Sequence, residues 1–277
     1  MIIDFQVSGV DMLLTISHTT TYRYDQSVTY GVQQLRLTPK PYHGQKVIRW
    51  ETTVEGGHKE LEYEDHNLNR VQLIKVFPHQ SELVIHCEGE VETVDRNGVV
   101  GQHISHIPLW LYKRSTELTK CGSGVKKIIK SVGDGYADEL SKLHALSTSI
   151  RDLVSYASGD TIVNTTAEQA IETGSGVCQD HSHIFVSAAR KIGFAARYVS
   201  GYLMMDDRVE QDATHAWAEA YVTGLGWVGF DVSNQISPDH RYVRVASGLD
   251  YRDCAPITGL RIGSGSEDLI VSLQVQQ

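Results

Sequence analysis

The segment Gly176-Val177-Cys178-Gln179-Asp180 opens a stretch that runs towards Lys191 and carries apolar residues at helical spacing. Gly193 closes the stretch, as glycine commonly does after a helix. Because Gly176 has no Cβ, the backbone before the cysteine can approach another group closely. The pattern therefore predicts a helix that begins at Cys178.

A cysteine at the start of a helix is a candidate nucleophile. The free N–H groups and the positive end of the helix dipole stabilise a thiolate there. The same N–H groups can hold the oxyanion that forms when the sulfur attacks a carbonyl. An isolated cysteine is more often a small, inert core residue, so Cys178 alone leaves both interpretations open.

Three strand-like segments follow this helix, at 195–203, 215–222 and 226–232, and a short turn joins the last two. His215 and Asp231 fall at the open end of that predicted hairpin. A five-residue loop would place them directly opposite each other, and a shorter loop would displace them along the ladder. A thiolate, an imidazole and an orienting carboxylate are the parts of nucleophilic acyl transfer, although a structural His–Asp pair fits these two residues equally well.

The first third of the chain alternates with a period of two, which is typical of half-buried strands. Even positions between 14 and 24 carry the larger apolar and aromatic groups. The same alternation puts four side chains on one face of a second strand: Ile48, Trp50, Thr52 and Val54. Further strand-like runs are Val71–Phe77, Glu82–Cys87 and Val91–Val94. These short strands predict an antiparallel β-sandwich-like domain over residues 12–112.

A second domain is predicted over residues 113–277. Residues 114–135 are polar, basic and interrupted by glycines, which predicts a connection or a weakly ordered segment. Helical periodicity covers 140–157, and a short helix begins at Thr166. Helices followed by antiparallel strands give an α+β fold rather than βαβ alternation. The last strand is expected over Leu269–Val275.

Four segments stand in a fixed order along the second half of the chain. They are Gly176-Val177-Cys178-Gln179-Asp180, Ala196-Arg197-Tyr198-Val199-Ser200-Gly201-Tyr202, Thr214-His215-Ala216-Trp217-Ala218-Glu219 and Gly226-Trp227-Val228-Gly229-Phe230-Asp231. Over residues 150–256 they resemble the core of the bacterial transglutaminase-like cysteine peptidase family, and the N-terminal strands are similar to the β domain that precedes this core. The resemblance implies a papain/transglutaminase-like core, with helices packed on an antiparallel sheet.

The resemblance also implies roles for individual residues. Cys178 becomes the nucleophile, His215 the general base and then acid, and Asp231 the residue that orients His215. Three further residues are expected to support them: Asp180, His183 and Trp217. For Trp217 the sequence leaves open whether it lines a substrate groove or fills the core.

The chain departs from the family pattern at three places, none of which touches the three central residues. His181-Ser182 stands where the family has Phe-Ala, and Val232 replaces the common proline after the acid. The turn at 66–69 lacks the glycine expected in the β domain.

These residues predict an enzyme that hydrolyses a peptide or protein amide through a Cys–His–Asp triad and a thioester. Two alternatives remain: a protein-glutamine transamidase, and a catalytically silent peptide-binding module. Animal transglutaminases, which this core resembles more distantly, place an indole before the nucleophile to assist the oxyanion. The nearest upstream tryptophan here is Trp110, in the other predicted domain, which favours hydrolysis.

Composition and local sequence patterns argue against several other classes of function. The net charge of −9 lacks the basic balance of a nucleic-acid binder, and no apolar run reaches the ~20 residues that span a bilayer. The N-terminus shows no secretory pattern, so a cytoplasmic protein with reduced thiols is expected. His181 and His183 point about 200° apart on a helix and cannot share one metal ion. We therefore predict no metal site, no cofactor, no nucleic-acid partner and no membrane partner.

Overall fold

The computed structural model describes residues 11–211 and 213–277, and its architecture is the predicted α+β fold. The strands are β1 (Asp11–Val28), β2 (Tyr30–Leu35), β3 (Gln45–Glu55), β4 (Gly57–Glu64), β5 (Arg70–Val76), β6 (Gln80–Val94), β7 (Val99–Gly101), β8 (Ser155–Tyr156), β9 (Ser175–Gly176), β10 (Ala196–Leu203), β11 (Glu210–Gln211), β12 (His215–Val222), β13 (Gly226–Phe230), β14 (Tyr242–Gly248), β15 (Ile257–Ile262) and β16 (Glu267–Gln276). The helices are α1 (Ser123–Val132), α2 (Glu139–Leu153), α3 (Ala167–Thr173), α4 (Cys178–Lys191) and α5 (Tyr251–Cys254), with a 3₁₀ turn over Leu109–Lys113.

Two antiparallel sheets form the N-terminal β-sandwich-like part. One has the strand order β11-β16-β1-β6-β3 and the other β15-β2-β5-β4. Their facing sides enclose a core that includes Leu83 and Ile85 from the first sheet, and Leu35 and Ile74 from the second. The alternation read from β1 is confirmed, because its even positions are buried from Met12 to Tyr24.

The face predicted for the second strand of this part is only partly correct. Trp50, Thr52 and Val54 are half-buried, but Ile48 is 46% exposed. The register of β3 against β6 shifts between Val47 and Arg49, so Ile48 is the extra residue of a β-bulge. The bulge turns its side chain away from the core.

The core sheet has the order β14-β10-β12-β13-β7, and its pairings are antiparallel. Helix α4 packs on β12, and every residue of α4 from Asp180 to Arg190 is buried. Helices α1, α2 and α3 pack around α4 and close the apolar core on that side of the sheet. The predicted bounds of the helix at 178–191 and of the strand at 215–222 agree with α4 and β12.

The expectation of a weakly ordered connection over 114–135 is wrong in part. Residues 123–132 form α1, whose Val125 and Ile128 are buried. The Glu168 carboxylate accepts hydrogen bonds from the N–H groups of Gly122, Gly124 and Val125 at 2.8–2.9 Å. A carboxylate from α3 therefore satisfies the first N–H groups of α1, and no local signal in the glycine-containing segment reveals it.

Strand pairing runs across the predicted domain division of 12–112 and 113–277. At the C-terminus, β15 pairs with β2 and β16 pairs with β1, so residues 257–276 complete the two N-terminal sheets. Conversely, β7 belongs to the predicted N-terminal domain by sequence but joins the edge of the core sheet beside β13. The division at 112/113 misses this exchange because pairing between strands some 250 residues apart leaves no local pattern.

The turn at 66–69 has no glycine, and one of its residues adopts a strained backbone conformation instead. Leu68 has φ 60°, the left-handed region that a side chain rarely adopts. The Asp65 carboxylate stabilises the turn by accepting hydrogen bonds from the N–H groups of Asn67 and Asn69.

Candidate active site

Cys178 is the first residue of α4 and is partly exposed. The turn before it is fixed by Asp180, whose Oδ2 accepts hydrogen bonds from the Val177 N–H at 2.9 Å and the Thr161 hydroxyl at 2.7 Å. A Cβ on Gly176 would lie 2.7 Å from the same oxygen. The glycine is therefore required by the close approach of Asp180. Burial raises the pKa of the Asp180 carboxyl, against these hydrogen bonds.

His215 and Asp231 meet across the β12–β13 hairpin. Val222 pairs with Gly226, so the connection is three residues long, the shorter of the two cases considered. The ladder pairs Ala218 with Phe230, which leaves His215 and Asp231 diagonal to each other rather than opposite. The His215 Nε2 nevertheless lies 2.6 Å from the Asp231 Oδ2.

The thiol completes this arrangement. The Cys178 sulfur lies close enough to His215 to raise the pKa of its ring, and the His215 Nε2 is already paired with Asp231, so Nδ1 is the ring nitrogen left for the sulfur. Burial alone would lower the pKa of His215, but the charges of Asp231 and Cys178 outweigh it and raise that pKa to about 10. The structure thus brings together Cys178, His215 and Asp231, the three residues predicted to be central.

Two partners of Asp231 escaped the sequence analysis. The Tyr242 hydroxyl donates to the Asp231 Oδ2 at 2.7 Å, and the Asn234 side-chain amide donates to the same oxygen at 2.8 Å. Burial raises the pKa of the Asp231 carboxyl, but His215 and these two donors leave it below its ordinary value. Asn234 stands only three residues after the acid and its backbone N–H also bonds the Asp231 carboxylate, whereas Tyr242 is eleven residues away and carries no local signal.

The residues expected to support the triad lie in different places. Trp217 is 2% exposed and packs from β12 against Tyr242 of β14. Its ring lies 6.4 Å from that of His215 and 5.4 Å from that of Tyr242. Trp217 does not line the groove above Cys178 and belongs to a buried apolar cluster. Of the two roles that the sequence left open, Trp217 therefore has the core role.

His183 and His181 both hydrogen-bond groups other than Cys178. The His183 Nε2 accepts a hydrogen bond from the Tyr251 N–H at 3.2 Å, which ties α4 to α5. Burial lowers the pKa of His183 to about 4, so the ring is neutral. The His181 ring bridges the Ser233 hydroxyl at 2.8 Å and the Val154 carbonyl at 2.9 Å. The His181 substitution for the family's phenylalanine therefore places a hydrogen-bonded histidine in the interior.

A groove of about 540 Å³ opens above Cys178 and His215. One wall belongs to the core and includes Tyr156, Tyr198 and Ser200. The other wall belongs to the N-terminal sheet, from which β1 and β16 contribute side chains. The volume lies within the range of small-ligand sites. Both structural parts of the chain therefore form the candidate site.

Within the described residues, no group of three or more His, Cys, Asp or Glu side chains is arranged to hold a metal ion. The helices of the described chain are also too short or too polar to cross a bilayer. All four cysteines are free thiols.

A helix that presents a cysteine to a histidine and an acid on an antiparallel sheet defines a core of the papain/transglutaminase class. Family models make the assignment specific: residues 126–232 match the transglutaminase-like superfamily core, and residues 14–92 match the bacterial transglutaminase-like N-terminal region. The chain therefore carries a transglutaminase-like core preceded by a bacterial transglutaminase-like N-terminal region.

Some known proteins match nearly the whole chain, and others match about half of it. The protein ML0607 of Mycobacterium leprae is 26% identical over 95% of this chain and 98% of its own length. The protein Rv2569c of Mycobacterium tuberculosis is 36% identical over 46% of this chain and 45% of its own length. The crystal structure of a candidate cysteine protease from Cytophaga hutchinsonii superposes with a TM-score of 0.77 at 20% identity, covering 96% of this chain and 91% of that one. At this identity the structural match shows a common fold.

Proposed function

We propose that this protein is a thiol-dependent amide hydrolase that acts on peptides or proteins, with Cys178 as nucleophile. The observation that carries the proposal is the position of the His215 ring, between the Asp231 carboxylate and the Cys178 thiol at the base of the groove. The structural resemblance to a candidate cysteine protease agrees with this chemistry.

In the first half of the reaction, the proton of Cys178 already rests on His215, and the sulfur attacks the amide carbonyl carbon as a thiolate. The N–H groups of Cys178 and Gln179 lie in the first turn of α4, where backbone N–H groups have no partner within the helix, and they would stabilise the oxyanion. His215 then gives its proton to the departing amine, the carbon–nitrogen bond breaks, and a thioester remains on Cys178.

In the second half, a water molecule attacks the thioester while His215 accepts its proton. The carbon–sulfur bond breaks, the carboxylic acid leaves, and the sulfur departs as a thiolate beside the protonated His215, which restores the starting state. Asp231 holds the ring so that one nitrogen always faces the sulfur, and its charge stabilises the protonated ring. Asp180 keeps the turn before Cys178 in place through the Val177 N–H.

Alkylation provides a direct test of the nucleophile. Burial raises the pKa of Cys121 and of Cys254, and raises that of Cys87 to about 11, so these three thiols are poorly reactive at neutral pH. We expect iodoacetamide to modify Cys178 first, as followed by peptide mass spectrometry. His215→Ala should slow this alkylation, whereas Cys121→Ala, at a partly exposed cysteine outside the groove, should leave it unchanged. Equal labelling of all four cysteines would contradict an activated Cys178.

Turnover in ¹⁸O-labelled water distinguishes the possible reactions. Hydrolysis of a peptide amide mixture should place one ¹⁸O atom in each new carboxylate, and Cys178→Ala should abolish it while the unfolding curve in urea stays the same. A labelled primary amine and a glutamine-containing protein are added in a parallel reaction. Cys178-dependent incorporation of the amine would instead indicate a transamidase. Binding of peptides without either product would indicate the silent module.

A further inference from the structure

One face of the N-terminal sheet is covered along only part of its length. The even residues of β1 and the odd residues of β16 share this face, as the cross-strand pairs show. Near one end, Leu14, Ile16 and Leu273 pack against residues of the core sheet such as Tyr202 and Val243. The face is therefore built as an apolar packing surface, and at this end it joins the two structural parts.

Towards the other end, the same face reaches the groove. Two successive cross-strand pairs, Thr20 with Val271 and Tyr22 with Leu269, line it together with Cys178. Leu269 is 56% exposed although it continues the row to which the buried Leu273 belongs. An apolar row that passes from a packed core into an open groove leaves contact area for another molecule.

The rest of the lining also favours an apolar occupant. Ile257, Pro256 and Met205 lie in the same groove. Besides Cys178 and His215, which carry out the reaction, the described lining contains one arginine and one acidic residue, Arg208 and Glu210, whose charges are opposite. This part of the described lining therefore has no excess charge of one sign to select a charged side chain, and contact area is the main source of preference.

We propose that the wall formed by Leu269 and Val271, with Thr20 and Tyr22 beside them, binds an apolar side chain of the peptide whose amide bond reaches Cys178. The inference rests on the proposed function, because it concerns the substrate of the same thiol. It assigns to the N-terminal sheet a part in substrate selection. An aliphatic side chain such as leucine is the expected occupant, since it can bury its surface against Leu269 while the peptide backbone extends along the groove.

The test uses acetylated dipeptide aldehydes that end in glycinal and differ only in the residue before it: leucine, serine, glutamate or lysine. Each aldehyde adds reversibly to a cysteine sulfur, and its affinity is measured as protection of Cys178 against iodoacetamide in the full-length protein. We expect the leucine compound to bind wild-type protein most tightly. Leu269→Ala should weaken that compound roughly tenfold and change the serine compound little.

Ile270→Ala provides the matched control. Ile270 lies on the same strand, is 46% exposed, and points to the opposite face of the sheet, outside the groove lining. Its replacement should leave the binding of all four aldehydes unchanged. Because both leucine and isoleucine positions are half exposed, both variants should fold, and urea unfolding of each variant verifies this.

Three results would overturn the inference. If Leu269→Ala and Ile270→Ala bind the leucine aldehyde alike, the wall does not contact the substrate. If Leu269→Ala weakens all four aldehydes equally, the wall contacts the peptide without an apolar preference. If wild-type protein binds none of the aldehydes at Cys178, the proposed function fails first and the inference fails with it. A loss confined to the leucine compound and to Leu269→Ala supports it.

Discussion

Strand β12 carries two buried ion pairs only four residues apart, and they differ in what surrounds them. His215 pairs with Asp231 at 2.6 Å beside the groove. Glu219 is fully buried, and its carboxylate accepts hydrogen bonds from Arg197 at 2.5 Å and Arg244 at 2.8 Å. The first pair includes a proton that can move between the His215 ring and the neighbouring Cys178 sulfur. The second joins one carboxylate to two guanidinium groups and has no reactive group beside it.

Both clusters shift pKa values strongly, so the shift alone does not identify a site. The pKa of His215 is raised to about 10, and that of Glu219 is lowered to about 2 because the two arginines outweigh the effect of its burial. What distinguishes His215 is the Cys178 sulfur next to it and the groove above it. A buried ion pair is thus a candidate for catalysis only where a reactive group and an opening accompany it.

The largest expected effect comes from breaking the first pair. Asp231→Asn should lower turnover by about 10⁴-fold, because the ring loses its orienting carboxylate and the charge that stabilises its protonated form. In the native protein His215 keeps its proton up to about pH 10. Without the carboxylate, less negative charge offsets the effect of burial, and the pKa of His215 falls. The change in the rate of Cys178 alkylation at alkaline pH, which follows the loss of the His215 proton, should therefore move to lower pH.

Alkylation of wild-type protein and Asp231→Asn between pH 5 and 11 would measure this shift. Urea unfolding of both proteins serves as the control for an intact fold. An alkaline limb at the same pH in both proteins would show that Asp231 does not set the protonation of His215.

Breaking the second pair should act on stability instead. Glu219→Gln leaves two buried guanidinium groups without a counter-charge and should lower the free energy of unfolding by about 3–5 kcal/mol. Because the folded-state pKa of Glu219 is lowered to about 2, its contribution is present above the ordinary value near 4.5 and is lost as the pH falls towards 2. Turnover per folded molecule should stay near that of the wild type.

Glu60→Gln is a suitable surface control for this measurement. Glu60 forms an exposed pair with His58, with 40% of its own side chain exposed, and its replacement should change stability by less than about 0.5 kcal/mol. If folded Glu219→Gln protein lost its turnover, the separation between a catalytic and a structural pair on β12 would be wrong.

The sequence predicted the parts of the site that depend on local pattern. Helix α4 begins at Cys178 because Gly176, Asp180 four residues later and the apolar stripe all lie within one short segment. The strands with His215 and Asp231 follow from residue type and a short turn. Even the diagonal register was one of the two arrangements that the turn length allowed.

The parts that sequence reasoning missed depend on distant contacts. Strand β14 was not predicted, so Tyr242 was unseen, and its place beside Asp231 comes from pairing with β10 rather than from any nearby motif. The groove wall formed by β16 was missed for the same reason, because the strand pairs with β1 across the whole length of the chain. Helix α1 depends on the Glu168 carboxylate, which lies more than 40 residues away.

The smallest effect should come from Tyr242→Phe, which removes one donor from the Asp231 carboxylate and keeps the ring that packs against His215. Loss of a hydrogen bond to a charged group is worth about 1.5–3 kcal/mol, so turnover should fall by roughly 10- to 150-fold. Because that hydrogen bond lowers the pKa of Asp231, its loss raises the pKa, and the acid limb of turnover should move to higher pH.

Tyr112→Phe separates this effect from the general loss of a buried tyrosine hydroxyl. The Tyr112 hydroxyl donates to the Asn67 side-chain oxygen at 3.1 Å, and Tyr112 lies outside the groove lining. Its replacement should lower stability and leave the acid limb in place, since the acceptor is a neutral amide without contact to Asp231. A shifted limb in both variants would attribute the change to weakened packing. A shift in Tyr242→Phe alone would make Tyr242 a positioning residue that acts through Asp231, and would extend the first ion pair of β12 to a strand that the sequence pattern did not predict.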